Sequence, residues 1–176
     1  AVTVERPTEQ LTQDRASLQE RIPESAGSIQ GIVQTDTTTF IGTTGGLFAL
    51  TSSGLTRMDD GQVVALTLYN DTLLVAHSDR LLAWYEGGLV ESPLTDALSD
   101  GEITGLMTRG NALWVSTTVG LFQYQSNGLS SLMEAVDAQS VHGGVNASYV
   151  TSSFDGAQSF VALDPGETDW QVLDFS

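Results

Sequence analysis

The sequence predicts an all-β fold: a β-propeller of about four four-stranded blades behind a short N-terminal helical arm. Three observations predict it. The stretch "FIGTTGGLFAL" at 40–50 returns as "WVSTTVGLFQY" at 114–124, with a diverged copy between them at 75–81. The copies are offset by 34 and 40 residues, a period that marks a repeat architecture. Each unit divides into short β-rich runs joined by Gly, Asn and Asp turns, the pattern of antiparallel meanders rather than helical repeats.

Residues 1–28 form the arm. Thr8 suits a helix N-cap with Glu9 in the first turn. Leu11, Leu18 and Ile22 fall on one stripe, and Pro23 ends a helix expected near 8–22. About four turns with so thin a stripe are marginal alone. The arm is therefore expected as a strap across the propeller or a tether to a partner subunit, with disorder as the remaining alternative.

The propeller spans 29–176, with blades at about 29–62, 63–102, 103–139 and 140–176. Strands are expected at 29–34, 39–43, 47–51 and 55–58, then at 63–68, 72–76, 81–85 and 89–91. The third unit gives 103–107, 112–116, 121–124 and 129–133. The fourth is less regular, with a merged pair at 145–150, then 159–163 and 170–173. One meander cannot cover both its faces, so units stack face to face. Leu47, Leu81 and Leu121 should then fill one equivalent slot between blades. Phe48, Leu82 and Phe122 should point to the opposite face, because strand side chains alternate. The ring could close within this chain or within a complex.

The units resemble the two-component-regulator propeller repeat. The resemblance rests on Ile29-x-x-Ile32, Phe40-Ile41-Gly42-Thr43 and Gly46-Leu47-Phe48 in the first unit. In the third it rests on Ile103-x-x-Leu106, Trp114-Val115-Ser116-Thr117 and Gly120-Leu121-Phe122-x-Tyr124. The second unit departs from it, with Ala76-His77-Ser78 for Gly-Thr-Thr and Arg80 for the glycine before Leu81. The resemblance covers about 29–133. It implies an extracytoplasmic sensor or binding module and brings no catalytic residue set.

Composition narrows the chemistry. The chain has no cysteine, which excludes disulfides, thiolate catalysis and Cys-bound metal. Two histidines are too few for a zinc cage. Six basic against 22 acidic residues give a net charge of −16, which repels nucleic acid and anionic lipid. No apolar run reaches the ~20 residues that span a bilayer. An Ala-Val-Thr start fits an exported protein whose signal peptide has been removed, so an extracytoplasmic, periplasmic or secreted location is expected.

No nucleophile elbow, phosphate loop, EF-hand loop or zinc-protease helix occurs. Neither catalytic, cofactor nor resident metal residues are expected. The acidic turns Asp59-Asp60-Gly61, Asp79-Arg80 and 99–102 fall on one face of a propeller, where their oxygens could take Ca2+. Turn chemistry explains the same residues. His77 and His142 read as loop residues, and Trp84, Trp114 and Trp170 as packing aromatics. The residues expected to bind a partner are Leu11, Leu18 and Ile22 on the arm, with Asp60, His77, Asp79, Arg80, Asp100 and Glu102 on the acidic face.

The expected function is that of a non-catalytic protein-interaction or accessory subunit of a larger complex, including a membrane-associated one. The alternatives are a ligand-binding sensor module and a propeller-type hydrolase or lactonase. A hydrolase normally turns a carboxylate cluster into the channel, and the innermost strands here read as apolar.

Overall fold

The computed structural model describes residues 22–85, 87–98, 100–126, 128–134, 137–143, 148–154, 157–163 and 171–173. Among them, four antiparallel four-stranded sheets follow one another along the chain, each in simple sequence order. Sheet one comprises β1 (Ile29–Gln34), β2 (Thr39–Thr43), β3 (Gly46–Thr51) and β4 (Gly54–Asp59). Sheet two comprises β5 (Ala65–Tyr69), β6 (Thr72–Ala76), β7 (Leu81–Tyr85) and β8 (Gly88–Glu91). A one-turn helix, α1 (Leu94–Ala97), leads to sheet three: β9 (Ile103–Arg109), β10 (Ala112–Thr117), β11 (Gly120–Gln125) and β12 (Gly128–Glu134). Sheet four comprises β13 (Asp137–Gly143), β14 (Ser148–Phe154), β15 (Ala157–Leu163) and β16 (Gln171–Leu173).

The first strands of successive sheets lie against one another, β1 on β5, β5 on β9 and β9 on β13. This is the inner wall of a β-propeller, with each later strand stepping outward. Three apolar seams join the sheets. Leu47 sits with Phe40, Val63 and Val75 between sheets one and two. Leu81 sits with Leu74, Leu106 and Leu113 between sheets two and three. Leu121 sits with Met107, Trp114 and Val141 between sheets three and four. All three leucines are fully buried. Their neighbours Phe48, Leu82 and Phe122 turn toward the preceding seam or the outer face of sheet one.

The pairing also slips in step with the sequence repeat. The β3–β4 register shifts between Leu47 and Phe48, and the β11–β12 register shifts between Leu121 and Phe122. The bulge occurs where Gly-Leu-Phe turns from inter-sheet slot to opposite face.

Two expectations are revised. Residues 137–143 carry little apolar alternation, yet form β13, and His142 lies in it opposite Tyr149 rather than in a loop. Of the merged strand expected at 145–150, residues 148–150 open β14, and 145–147 lie outside the described residues. Of the arm, Ile22 is buried, and a single 3-10 turn spans Glu24–Ala26. The helix expected near 8–22, with Leu11 and Leu18, otherwise lies outside the described residues. Among the described residues no helix is long and apolar enough to cross a membrane.

Candidate functional site

The repeated Thr-Thr pair builds one edge of the propeller. The first threonine organises its own turn. Thr43 Oγ1 donates to the Gly46 carbonyl at 2.8 Å and accepts from the Gly45 N–H at 3.3 Å. Thr117 repeats this with Gly120 at 3.0 Å and Val119 at 3.2 Å. The second threonine reaches across the sheet to the residue before the innermost strand. Thr44 Oγ1 accepts from the Ser28 N–H at 3.0 Å, and the Thr44 N–H donates to the Ser28 carbonyl at 2.9 Å. Thr118 does the same with Glu102, at 3.0 and 2.9 Å. The β2–β3 and β10–β11 turns are thereby fixed to the segments that enter β1 and β9.

The second sheet keeps the turn and changes its chemistry. His77 stands where Thr43 and Thr117 stand, with its N–H donating to the Arg80 carbonyl at 2.9 Å. The Ser78 carbonyl accepts from the Ile103 N–H at 2.7 Å, tying this turn to the next sheet. His77 was expected as an exposed loop residue, but it is only 4% exposed. The reason is its place in the phrase: the side chain at this position points under the turn, as both threonines do.

Its ring packs against Gly61, where a β-carbon would collide with Cε1. Its Nε2 lies 3.2 Å from Asp59 Oδ2 without hydrogen-bond geometry, and among the described residues Nε2 meets no hydrogen-bond partner. The same Oδ2 accepts from the Gly61 N–H at 2.7 Å. Burial lowers the His77 pKa below the ordinary imidazole value, and Arg80 acts in the same direction. Asp59 and Asp79 oppose the shift without overcoming it. Asp59, left out of the residues expected to bind a partner, is thus the partner of His77.

The remaining candidates are solvent-facing. Asp60 is exposed and pairs with Arg57 Nε at 2.7 Å. Arg57 also lies over the Phe48 ring, 5.4 Å from its centroid, and donates to the Gly45 carbonyl. Asp79 and Arg80 are exposed neighbours 4.0 Å apart. Asp100 and Glu102 are exposed beside the entry to β9. These turns share the propeller edge formed by the second-to-third-strand turns and the sheet-to-sheet connections. Among the described residues no three His, Asp or Glu side chains converge as a metal site. Ile22 is buried with Ala26 against Ile41 and Phe48 on the outer face of sheet one.

A cavity of about 350 Å3 lies on the inner strands, lined by residues from all four sheets. Gln30, Gly31, Leu66, Thr104, Gln139 and Ser140 are among them. The innermost strands therefore turn neutral polar groups as well as apolar ones inward, where apolar residues alone were expected. Thr104 is engaged by Ser116 Oγ at 3.0 Å and by the Ala138 carbonyl, which ties sheet three to sheet four. None of the described lining residues is ionisable. Trp84 packs on Phe40 with ring centroids 5.7 Å apart, and Trp114 is buried beneath Arg109. Trp170 lies outside the described residues.

No family model matches the chain, and no curated protein matches it. Solved structures do resemble it. The extracellular domain of BT4673 from B. thetaiotaomicron, described as a one-component system, aligns with a TM-score of 0.64 at 15% identity. That match covers 81% of this chain and 22% of the other, so this chain spans about a fifth of its length. The computationally designed Ika4 protein aligns with a TM-score of 0.54 at 15% identity, covering 80% of this chain and 92% of the design. The N-terminal domain of Nup159 gives 0.52 at 10% identity, covering 82% and 47%. At these identities the likeness establishes the fold.

Proposed function

We propose that this chain is a non-catalytic, extracytoplasmic propeller module that serves as a protein-interaction or accessory subunit of a larger assembly. The observation that carries the reading is the exposed acidic edge. Asp60, Asp79, Asp100 and Glu102 project from turns that threonine clamps and inter-sheet hydrogen bonds hold in place. Fixed carboxylates on a chain of net charge −16 suit a basic protein surface, steering its approach and setting its orientation. The likeness to extracellular domains, together with the repeat phrase, supports the location.

A second reading, a ligand-binding sensor module, is favoured by one observation: the inner cavity is large enough for a small neutral molecule. Co-purification from the native source, followed by cross-linking mass spectrometry, tests the first reading. It expects a stoichiometric protein partner cross-linked to the edge that holds Asp60, Asp79 and Asp100. A chain that elutes alone while carrying a small molecule in its inner cavity would contradict it and favour the sensor.

A further inference from the structure

The edge opposite the acidic turns carries a different surface. There the β5–β6 turn at Asn70-Asp71 and the β9–β10 turn at Gly110-Asn111 meet the end of β11. Asn70 and Asp71 both adopt positive φ, 48° and 60°, the tight hairpin conformation that asparagine and aspartate tolerate best. That turn places Tyr69 at the mouth of the seam between sheets two and three. Tyr69 meets Tyr124 edge to face, with ring centroids 6.0 Å apart and planes at 66°. The Tyr69 hydroxyl donates to the Asn111 carbonyl at 3.3 Å, which locks one ring of the pair.

Two cavities open on this pair. One, of about 680 Å3, is lined by the two tyrosines with Asn70, Asn111, Gln125 and Ser126. The other, of about 320 Å3, shares Tyr69, Asn70 and Tyr124 and continues along the seam to Ser92, Pro93 and Leu94 ahead of and within α1. Together they make an elongated groove: flat aromatic walls at its centre, amide and hydroxyl groups at one end, apolar side chains at the other. Among the described residues that line the two cavities, the tyrosine hydroxyls are the ionisable groups.

We propose that this seam groove binds an extended, proline-rich peptide segment carrying basic flanks. A polyproline II chain makes no internal hydrogen bonds, so its carbonyls remain open to side-chain amide donors such as those of Asn70, Asn111 and Gln125. Its pyrrolidine rings present apolar faces that can pack onto the surface of the tyrosine pair, and its stiffness lowers the entropy lost on docking. The described lining side chains are uncharged, which suits a backbone-led core of recognition. Asp71, exposed at the rim, and the net charge of −16 favour Lys or Arg beside the proline run. The tyrosine end of the groove lies on the opposite edge from Asp60, Asp79 and Asp100, and none of those acids lines it, so the proposal stands apart from the acidic-edge reading.

The test is fluorescence anisotropy with the whole chain and a labelled peptide of eight prolines with one arginine at each end. The controls are a Gly-Ser peptide of the same length with the same arginines and a neutral glucose oligosaccharide used as competitor. Saturable binding of the proline peptide is expected, at least about tenfold tighter than the Gly-Ser peptide. Tyr124→Ala should weaken it about tenfold or more. Ser126→Arg changes only an exposed rim residue, keeps the core intact and should weaken it similarly by obstructing the groove and repelling the flanks. Equal binding of both peptides would overturn the proposal, as would displacement of the proline peptide by the oligosaccharide. Full affinity in a folded Ser126→Arg protein would overturn it too.

Discussion

Thr44 and Ser28 hold one another by two hydrogen bonds, and Thr118 and Glu102 repeat the arrangement 74 positions later in each partner. The Thr-Thr pair thus divides its work: the first residue shapes a turn, and the second ties that turn to the start of an innermost strand.

This division predicts unequal costs. Thr43→Val and Thr117→Val remove buried hydroxyls that serve the turn backbone and should each destabilise by about 1–3 kcal/mol. Thr44→Val and Thr118→Val remove more exposed bonds whose backbone partners water can reach, and should cost about 0.5–1.5 kcal/mol. Urea unfolding of the four variants checks the order. Larger losses at Thr44 and Thr118 would contradict the assignment.

Gly46 sits at φ 140°, and a β-carbon there would run into the Asp59 carbonyl oxygen. Gly46→Ala should therefore cost about 1–3 kcal/mol. Arg80, its counterpart in sheet two, is not among the described non-glycine residues with positive φ, which are Asn70 and Asp71. Arg80→Ala should leave the melting temperature nearly unchanged. The comparison of the two melting curves reads directly on whether the turn differs in the second sheet.

His77 predicts a pH dependence. Its folded pKa lies below 6.5, so the unfolded chain binds a proton more readily as pH falls. Its contribution to stability is present above about pH 6.5 and is lost as pH falls through the folded value. His77→Thr restores the residue type of the other two turns and removes this titration. The stability difference, variant minus wild type, should rise between pH 7.5 and 5. A difference independent of pH would show that His77 titrates alike in both states.

Ile22 is 5% exposed and rests on Ile41 and Phe48, so at least this part of the arm covers sheet one. Ile22→Ala should destabilise by about 2–5 kcal/mol, and deletion of residues 1–24 should lower the melting temperature of the whole domain. A truncated protein that melts as the full chain does would favour the tether.

Much of this architecture is legible in the sequence because turns and period-two strands leave local marks. Gly-Leu-Phe announces the buried leucine, and Asn70-Asp71 announces its hairpin. What was not legible depends on neighbours distant in sequence. His77 reads as a loop residue until Asp59 and Gly61 arrive from the preceding sheet to bury it. Residues 137–143 become a strand by pairing with β14 and packing on β9, with few apolar side chains of their own to signal it. Gln30, Thr104 and Gln139 meet at one cavity only because the innermost strands of all four sheets converge there. The tyrosine groove is likewise a product of topology, since turns from separate hairpins create it.

The central claim, that the clamped acidic edge is a protein-binding surface, is tested most directly by removing its charge without disturbing its turns. The variant Asp60→Asn, Asp79→Asn, Asp100→Asn, Glu102→Gln keeps every backbone hydrogen bond described for these segments. Its affinity for the partner recovered from the native source should be measured by calorimetry beside the wild type, at low and high salt. The account predicts at least about a tenfold loss of affinity, together with a weaker salt dependence. Unchanged affinity and unchanged salt dependence in the folded variant would contradict it.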